Sequence, residues 1–389
     1  MQRWQQRVVA AGSMLVLAGL SACGAPRGVA KPTPTGGGRL TESVGFWAKG
    51  AHASLAPASK YPHSITVFSP LWYTLNPTGG LRSHVDAAAA RSAAALHWKA
   101  VPIVNLAGRP TFLASVTGRL AVAKSLSALV RTHHYAGINL DFEPAAVAYK
   151  TDLASFVTDL HDWLPPAGKG LYLDLVPASG GAYDYKAMTP NLTAYILMSY
   201  DQHDSGSAAG PVAATSWVTA RLARILSVVP ASHVDLGLAF YGYRWVAGTT
   251  KATTLPLNAI PPAVSAHAKY NAVDQEMTGT YTGTSGTRYV FWYESPQGLA
   301  AKVKLAQSKH LRGVGIWRLG YQTGPALALV QKAIGAAPAK GPAATAVKTP
   351  TAKKSSPSTT GTKPSASQTG SKPHKIATSR KKSASSTHS

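Results

Sequence analysis

The chemistry in this chain concentrates in one short stretch, Ala-Gly-Ile-Asn-Leu-Asp-Phe-Glu-Pro at 136–144. In an extended strand alternate side chains face opposite ways, so Ile138, Leu140 and Phe142 form an apolar row and Asn139, Asp141 and Glu143 a polar one. The whole chain holds only 15 acidic residues, and this strand places two of them two positions apart. Unpaired carboxylates facing inward are costly, so such a row is kept for use or is neutralised by an Arg or Lys. Two adjacent carboxyls also separate their pKa values and hold one protonated near neutrality, which equips it as a general acid. Thiol chemistry is excluded, because Cys23 is the single cysteine, and with it intrachain disulfides and Cys-based metal sites. No Ser-His-Asp pattern stands out. His203 lacks the neighbouring His, Asp or Glu of a metal site, so neither metal nor cofactor is expected.

Such a pair needs a rigid frame. With 389 residues, 45% of them hydrophobic, the chain can bury a full-sized core. Strands are predicted at 43–49, 65–75, 100–106, 137–142, 171–177, 195–201, 234–241 and 313–319. Amphipathic stretches separate most of them, among them 85–96, 120–132, 150–164 and 219–229. Eight strands with crossover helices over about 300 residues predict an α/β fold, a (β/α)8 TIM barrel at 41–336 with catalytic groups at the C-terminal strand ends. A doubly wound open sheet is the competing arrangement. Residues 246–290 break the alternation and predict a small β-rich insertion between strands seven and eight, closing in a hairpin near Tyr281 to Tyr289.

The formal net charge of +24 is unevenly spread. Residues 1–40 hold five Lys or Arg and residues 337–389 ten, with no acid in either segment. Arg3 and Arg7 precede an apolar run at 8–20, too short to span a bilayer, where about 20 residues are needed, but suited to a signal peptide. The run ends in Leu20-Ser21-Ala22-Cys23, which resembles a bacterial lipobox, so 1–22 reads as a lipoprotein signal peptide and Cys23 as the lipidated residue. Ordinary secretory cleavage after Ala22 is the alternative. Residues 23–40, rich in Pro and Gly, read as a flexible linker, and 337–389 as a basic Lys/Ser/Thr/Pro tail expected to be disordered. The expectation is a monomer exported and lipid-anchored to the outer face of the cytoplasmic membrane or cell envelope. Its tail would meet anionic cell-wall polymers rather than nucleic acid.

Taken together, the motifs resemble glycoside hydrolase family 18, the chitinase family. Gly-Ile-Asn-Leu-Asp-Phe-Glu at 137–143 is similar to the family signature Asp-Gly-x-Asp-x-Asp-x-Glu. Ala136 replaces its first Asp and Asn139 its second, the latter as in the spore-cortex and cell-wall branch. Leu197 to Val218 resembles the Met-x-Tyr-Asp segment of strand six, 237–245 strand seven, and 313–321 the Trp-bearing strand eight. The resemblance implies a retaining, substrate-assisted mechanism in which the 2-acetamido carbonyl attacks its own anomeric carbon. It implies Glu143 as acid and then base, Asp141 orienting the acetamido group, Tyr200 donating to its carbonyl, and Asp201 holding the sugar. Asn139 cannot take up the proton available to the family's Asp, so Asp141 is expected to stay turned toward Glu143. Trp317 is the leading candidate for the floor beneath the cleaved sugar, with Trp72, Tyr73 and Tyr241 as further aromatic surfaces. Gln202, His203 and Arg244 follow strand ends as candidate contacts, and Asp174 reads as an inward acid without a named partner. The glycan is expected to contain N-acetylglucosamine, with peptidoglycan preferred over chitin. The alternative is a non-hydrolytic, lectin-like barrel.

Overall fold

A computed structural model describes residues 38–50, 53–143, 147–176, 181 and 183–335. The expected signal peptide and lipidation site, at 1–22 and Cys23, most of the expected linker and the basic tail lie outside them. Eight parallel strands form the central sheet: β1 (Glu42–Trp47), β2 (Val67–Leu75), β3 (Ile103–Leu106), β4 (Gly137–Asp141), β5 (Gly170–Leu175), β6 (Ala194–Leu197), β7 (Val234–Ala239) and β8 (Gly313–Trp317). They pair in chain order, and β1 is bonded to both β2 and β8, which closes the barrel and excludes the open sheet. Each of the eight coincides with a strand read from the sequence.

Alternation along each strand sorts the side chains into two layers. Val44, Phe46, Val67, Ile103, Tyr172 and Ile196 fill the barrel interior. Ile138, Leu140, Leu171 and Leu173 point outward into the larger core against the helices. Space inside is short enough to dictate composition. A Cβ on Gly315 of β8 would lie 2.6 Å from Ile196 Cγ2 and 3.2 Å from Phe46. The N-terminal end of the barrel is plugged by polar groups: Arg312 Nε bonds Glu42 Oε1 at 3.0 Å, and the Tyr172 hydroxyl donates to Glu42 Oε2 at 2.9 Å.

The outer layer includes helices Ala87–Ala95, Val116–His133, Lys150–Trp163, Thr215–Leu226, Pro296–Ser308 and Gly324–Ala333. Their starts follow capping chemistry. Asp86, Ser115, Ser295 and Thr323 each accept a bond from a first-turn N–H, satisfying donors that the helix cannot use itself. After β5 only a short helix, Tyr185–Met188, intervenes.

The β-rich insertion is an antiparallel sheet of five strands, Tyr241–Val246, Ala252–Pro256, Lys269–Asn271, Glu276–Thr282 and Arg288–Glu294. The hairpin joining the last two falls where the sequence placed it. The sheet begins at 241 rather than 246, because the chain breaks at Phe240, whose N–H turns to the Trp317 carbonyl at 2.7 Å, and Tyr241 starts a new sheet. Buried charge fastens this insertion to the barrel. Glu276, fully buried, accepts the N–H groups of Val212 and Ala213 at 2.9 and 2.5 Å in the loop after β6. Lys302 and Glu294, also buried, meet at 2.5 Å.

Candidate active site

The polar row of β4 rises along the barrel axis to the C-terminal face, where catalytic groups of such barrels gather. Asn139, fully buried, uses its Nδ2 to reach Ser69 Oγ of β2 at 3.2 Å and both carboxylate oxygens of Asp174 on β5 at 3.2 and 3.1 Å. Asp174 thereby gains a partner that the sequence did not reveal. Above this layer Asp141 and Glu143 share a side-chain hydrogen bond. Burial pushes both carboxyls up. Glu143 rises well above the usual range, helped by the negative charges of Asp141, Asp174 and Asp201. The bond favours the charged form of Asp141 and the protonated form of Glu143, the direction that a general acid beside an accepting carboxylate requires. A second consequence follows from the same layer: Asp141 Oδ1 is buried without a hydrogen-bond partner.

Tyr200, just beyond β6, is 8% exposed and its hydroxyl has no hydrogen-bond partner. Burial and the fields of Asp174, Glu143, Asp201 and Asp141 hold that hydroxyl protonated far above neutrality. It is a donor surrounded by acids and bonded to none. Asp201 follows with a left-handed backbone, φ +57°, and its Oδ1 accepts the hydroxyls of Tyr241 at 2.5 Å and Tyr243 at 2.9 Å. Burial lifts its carboxyl to about 6 against the lowering effect of those two bonds. The rings of Tyr200 and Tyr241 meet edge to face at 6.1 Å. Trp317 closes β8, half-buried, with its ring 5.6 Å from Phe46 at the top of the interior layer.

Other candidates sit elsewhere. Trp72 is 1% exposed, packed against Phe68 and Tyr135 under the helices, and so has no free face for a sugar. Its parity along β2 matches outward-facing Phe68. Tyr73 joins it outside because a bulge between Leu71 and Tyr73 shifts the register, and its hydroxyl pairs with that of Tyr135 at 2.9 Å. Gln202 braces the loop after β6 by accepting the Ala214 N–H at 3.0 Å. Arg244 is tied into the insertion, bonded to the Tyr281 hydroxyl at 2.7 Å and lying 4.6 Å from the Tyr289 ring centre. The Nδ1 of His203 contacts the Ala208 carbonyl at 3.0 Å. Among the described residues no cluster of three His, Cys, Asp or Glu is set to hold a metal.

Two residues escaped the sequence reading. Tyr183 is 2% exposed, its hydroxyl has no partner, and burial, with smaller contributions from the charges of Glu143, Asp141 and Asp174, raises its titration. It lies beyond β5 in a loop without periodicity, and no local signal marks it. Asn105 of β3 stands in register beside Asp141, with a buried, unpartnered Oδ1. Its polar type at a strand's C-terminal end was the available clue.

A closed barrel with paired carboxyls at the end of β4 and unpartnered tyrosine hydroxyls at its C-terminal face is the arrangement of a glycosidase, and comparison with known proteins agrees on the class. Residues 110–322 match the model of glycosyl hydrolases family 18, and the chain belongs to that family. A Bacillus subtilis (strain 168) protein carrying the name sporulation-specific glycosylase YdhD is 26% identical over 292 residues, 68% of this chain and 68% of its own length. The chitinase from Chromobacterium violaceum superposes with a TM-score of 0.69 at 20% identity, over 76% of this chain and 99% of that one. The Bacillus cereus spore cortex-lytic enzyme SleL gives 0.67 at 18% identity, over 76% and 75%.

Proposed function

We propose that this glycosidase cleaves β-1,4 bonds beside N-acetylglucosamine in peptidoglycan, with retention and through an oxazolinium formed by the substrate's own acetamido group. The observation that carries the reading is the Glu143–Asp141 hydrogen bond beside the Tyr200 hydroxyl. Glu143 holds the proton that the glycosidic oxygen needs. Asp141, whose charged form that bond favours, has a free Oδ1 to accept the acetamido N–H and to stabilise the positive charge that develops. Tyr200 offers its unpartnered hydroxyl to the acetamido carbonyl, turning that oxygen toward the anomeric carbon. Asp201 holds the sugar while anchored by Tyr241 and Tyr243, and the exposed part of Trp317 supplies the floor. After the leaving group departs, Glu143, now ionised, draws a proton from the attacking water.

Peptidoglycan is favoured by Asn139 at the second signature position and by the likeness to proteins named for sporulation and spore cortex. Export with lipidation of Cys23 is part of the proposal. It is supported by Arg3 and Arg7, the apolar run at 8–20 and the Leu-Ser-Ala-Cys that closes it. The basic tail would then lie among anionic wall polymers.

The test is digestion of purified peptidoglycan and of N-acetylglucosamine oligomers by the wild type and by Glu143→Gln, with mass spectrometry of the new reducing ends. Wall fragments ending in reducing N-acetylglucosamine, absent with Glu143→Gln, are expected. Cleavage of the oligomers alone would make chitin the substrate. Binding without cleavage by the wild type would replace the proposal with a lectin-like role.

A further inference from the structure

The strand Leu81–Ser83 folds back antiparallel on β2. Its Arg82 pairs with Thr74, Thr74 with Asn105 on β3, and Asn105 with Asp141 on β4. Four residues on four adjacent strands thus form one rank, and residues in register share a face of the sheet. At about 4.8 Å per strand, the backbone of Arg82 lies roughly 14 Å from that of Asp141. A pocket of about 360 Å³ opens at the Arg82 end, lined by Thr74, Asn76, Arg82, His84 and Ala107 among others and by no acid. The Arg82 side chain is exposed and has no ion pair or hydrogen bond among the described residues. The next acid along the chain is already engaged. Asp86 caps the following helix through the N–H groups of Ala88 and Ala89 and pairs with Lys49 at 3.4 Å. Between pocket and carboxyl pair, Asn105 presents its buried, unpartnered Oδ1.

We infer that this rank is a recognition track ending in a subsite for a carboxylate carried on the glycan, with Arg82 as its anchor and His84 beside it. The inference rests on the peptidoglycan reading above. A guanidinium without a protein partner matches a carboxylate as a bidentate fork, and the Asn105 oxygen takes a hydroxyl or amide N–H from the sugar lying between. A neutral N-acetylglucosamine chain would satisfy Asn105 and leave Arg82 unused. A muramic acid unit carries the missing charge, either on its lactyl side arm or, where a peptide is attached, on that peptide.

Titration calorimetry tests this with full-length Glu143→Gln protein, which leaves the ligands intact, with and without the added pair Arg82→Gln and His84→Gln. Three soluble ligands are used: a neutral N-acetylglucosamine tetramer, a peptide-free peptidoglycan tetrasaccharide with lactyl carboxylates, and the same tetrasaccharide bearing stem peptides. The added pair is expected to weaken a carboxylated ligand about tenfold, the loss of one charge-assisted contact, and the neutral tetramer less than twofold. Whichever carboxylated ligand suffers more identifies the charge that is read. Equal losses on all three, no loss on either carboxylated ligand, or no binding of either would overturn the inference. Should the wild type prove unable to cleave any of the three while the selective loss persists, the hydrolytic reading fails and the subsite stands.

Discussion

Asn139→Asp, which restores the family's acidic type at the second signature position, is expected to weaken the protein in a manner set by pH. Asn139 is fully buried and donates to both oxygens of Asp174, and Asp174 has no ion pair among the described residues. An aspartate there loses the donor and sets two carboxyls against each other at about the same separation. Burial and the charge of Asp141 already raise Asp174, and the Asn139 bond is what draws it back toward the ionised form; with that donor replaced by a second carboxyl, one further proton must be held between them. Keeping an ordinary aspartate, pKa about 3.9, protonated costs about 1.4 kcal/mol for each pH unit above that value, or roughly 4 kcal/mol at pH 7. The sign follows from proton binding. The folded variant holds a proton that the unfolded chain releases, so its stability relative to wild type is greatest below about pH 4 and declines as pH rises, until the pair's own raised pKa is passed. Paired thermal melts from pH 4.5 to 8 provide the assay. The difference in Tm should be small at the acid end and reach roughly 5–10 °C near neutrality. A difference independent of pH, or a variant as stable as wild type at pH 8, would refute the pairing of Asn139 with Asp174 as its cause.

Tyr200→Phe should cut kcat by about 10²–10³-fold, the usual effect of removing one preorganised donor, without lowering Tm, because its hydroxyl bonds nothing in the free protein; a lowered Tm would reveal a structural bond. The pH profile of kcat/KM should fall on the alkaline side as Glu143, raised by burial and by neighbouring carboxylates, loses its proton, and on the acid side as Asp141 gains one. Asp201→Asn removes one of the charges that raise Glu143, so the alkaline limb should move to lower pH; an unmoved limb would separate the two groups. Lys302→Met leaves Glu276 and Glu294 buried without their cation, and urea denaturation should show a loss of about 3–5 kcal/mol.

The eight barrel strands and the acid pair were legible in the sequence for a local reason. Strand periodicity and the apolar row Ile138, Leu140, Phe142 are written into consecutive residues, and the inward direction of Asn139, Asp141 and Glu143 follows from their parity alone. What only tertiary structure decided involves residues far apart in the chain. The Asn139–Asp174 bond joins positions 35 residues apart. The bulge in β2 that turned Tyr73 outward, the fully packed surroundings of Trp72, and the capture of Arg244 by Tyr281 and Tyr289 depended on which neighbours the barrel and insertion supplied. Residue type and spacing determine which groups can do chemistry; closing the sheet determines which of them share a space without water, and there burial and mutual charge set the proton on Glu143.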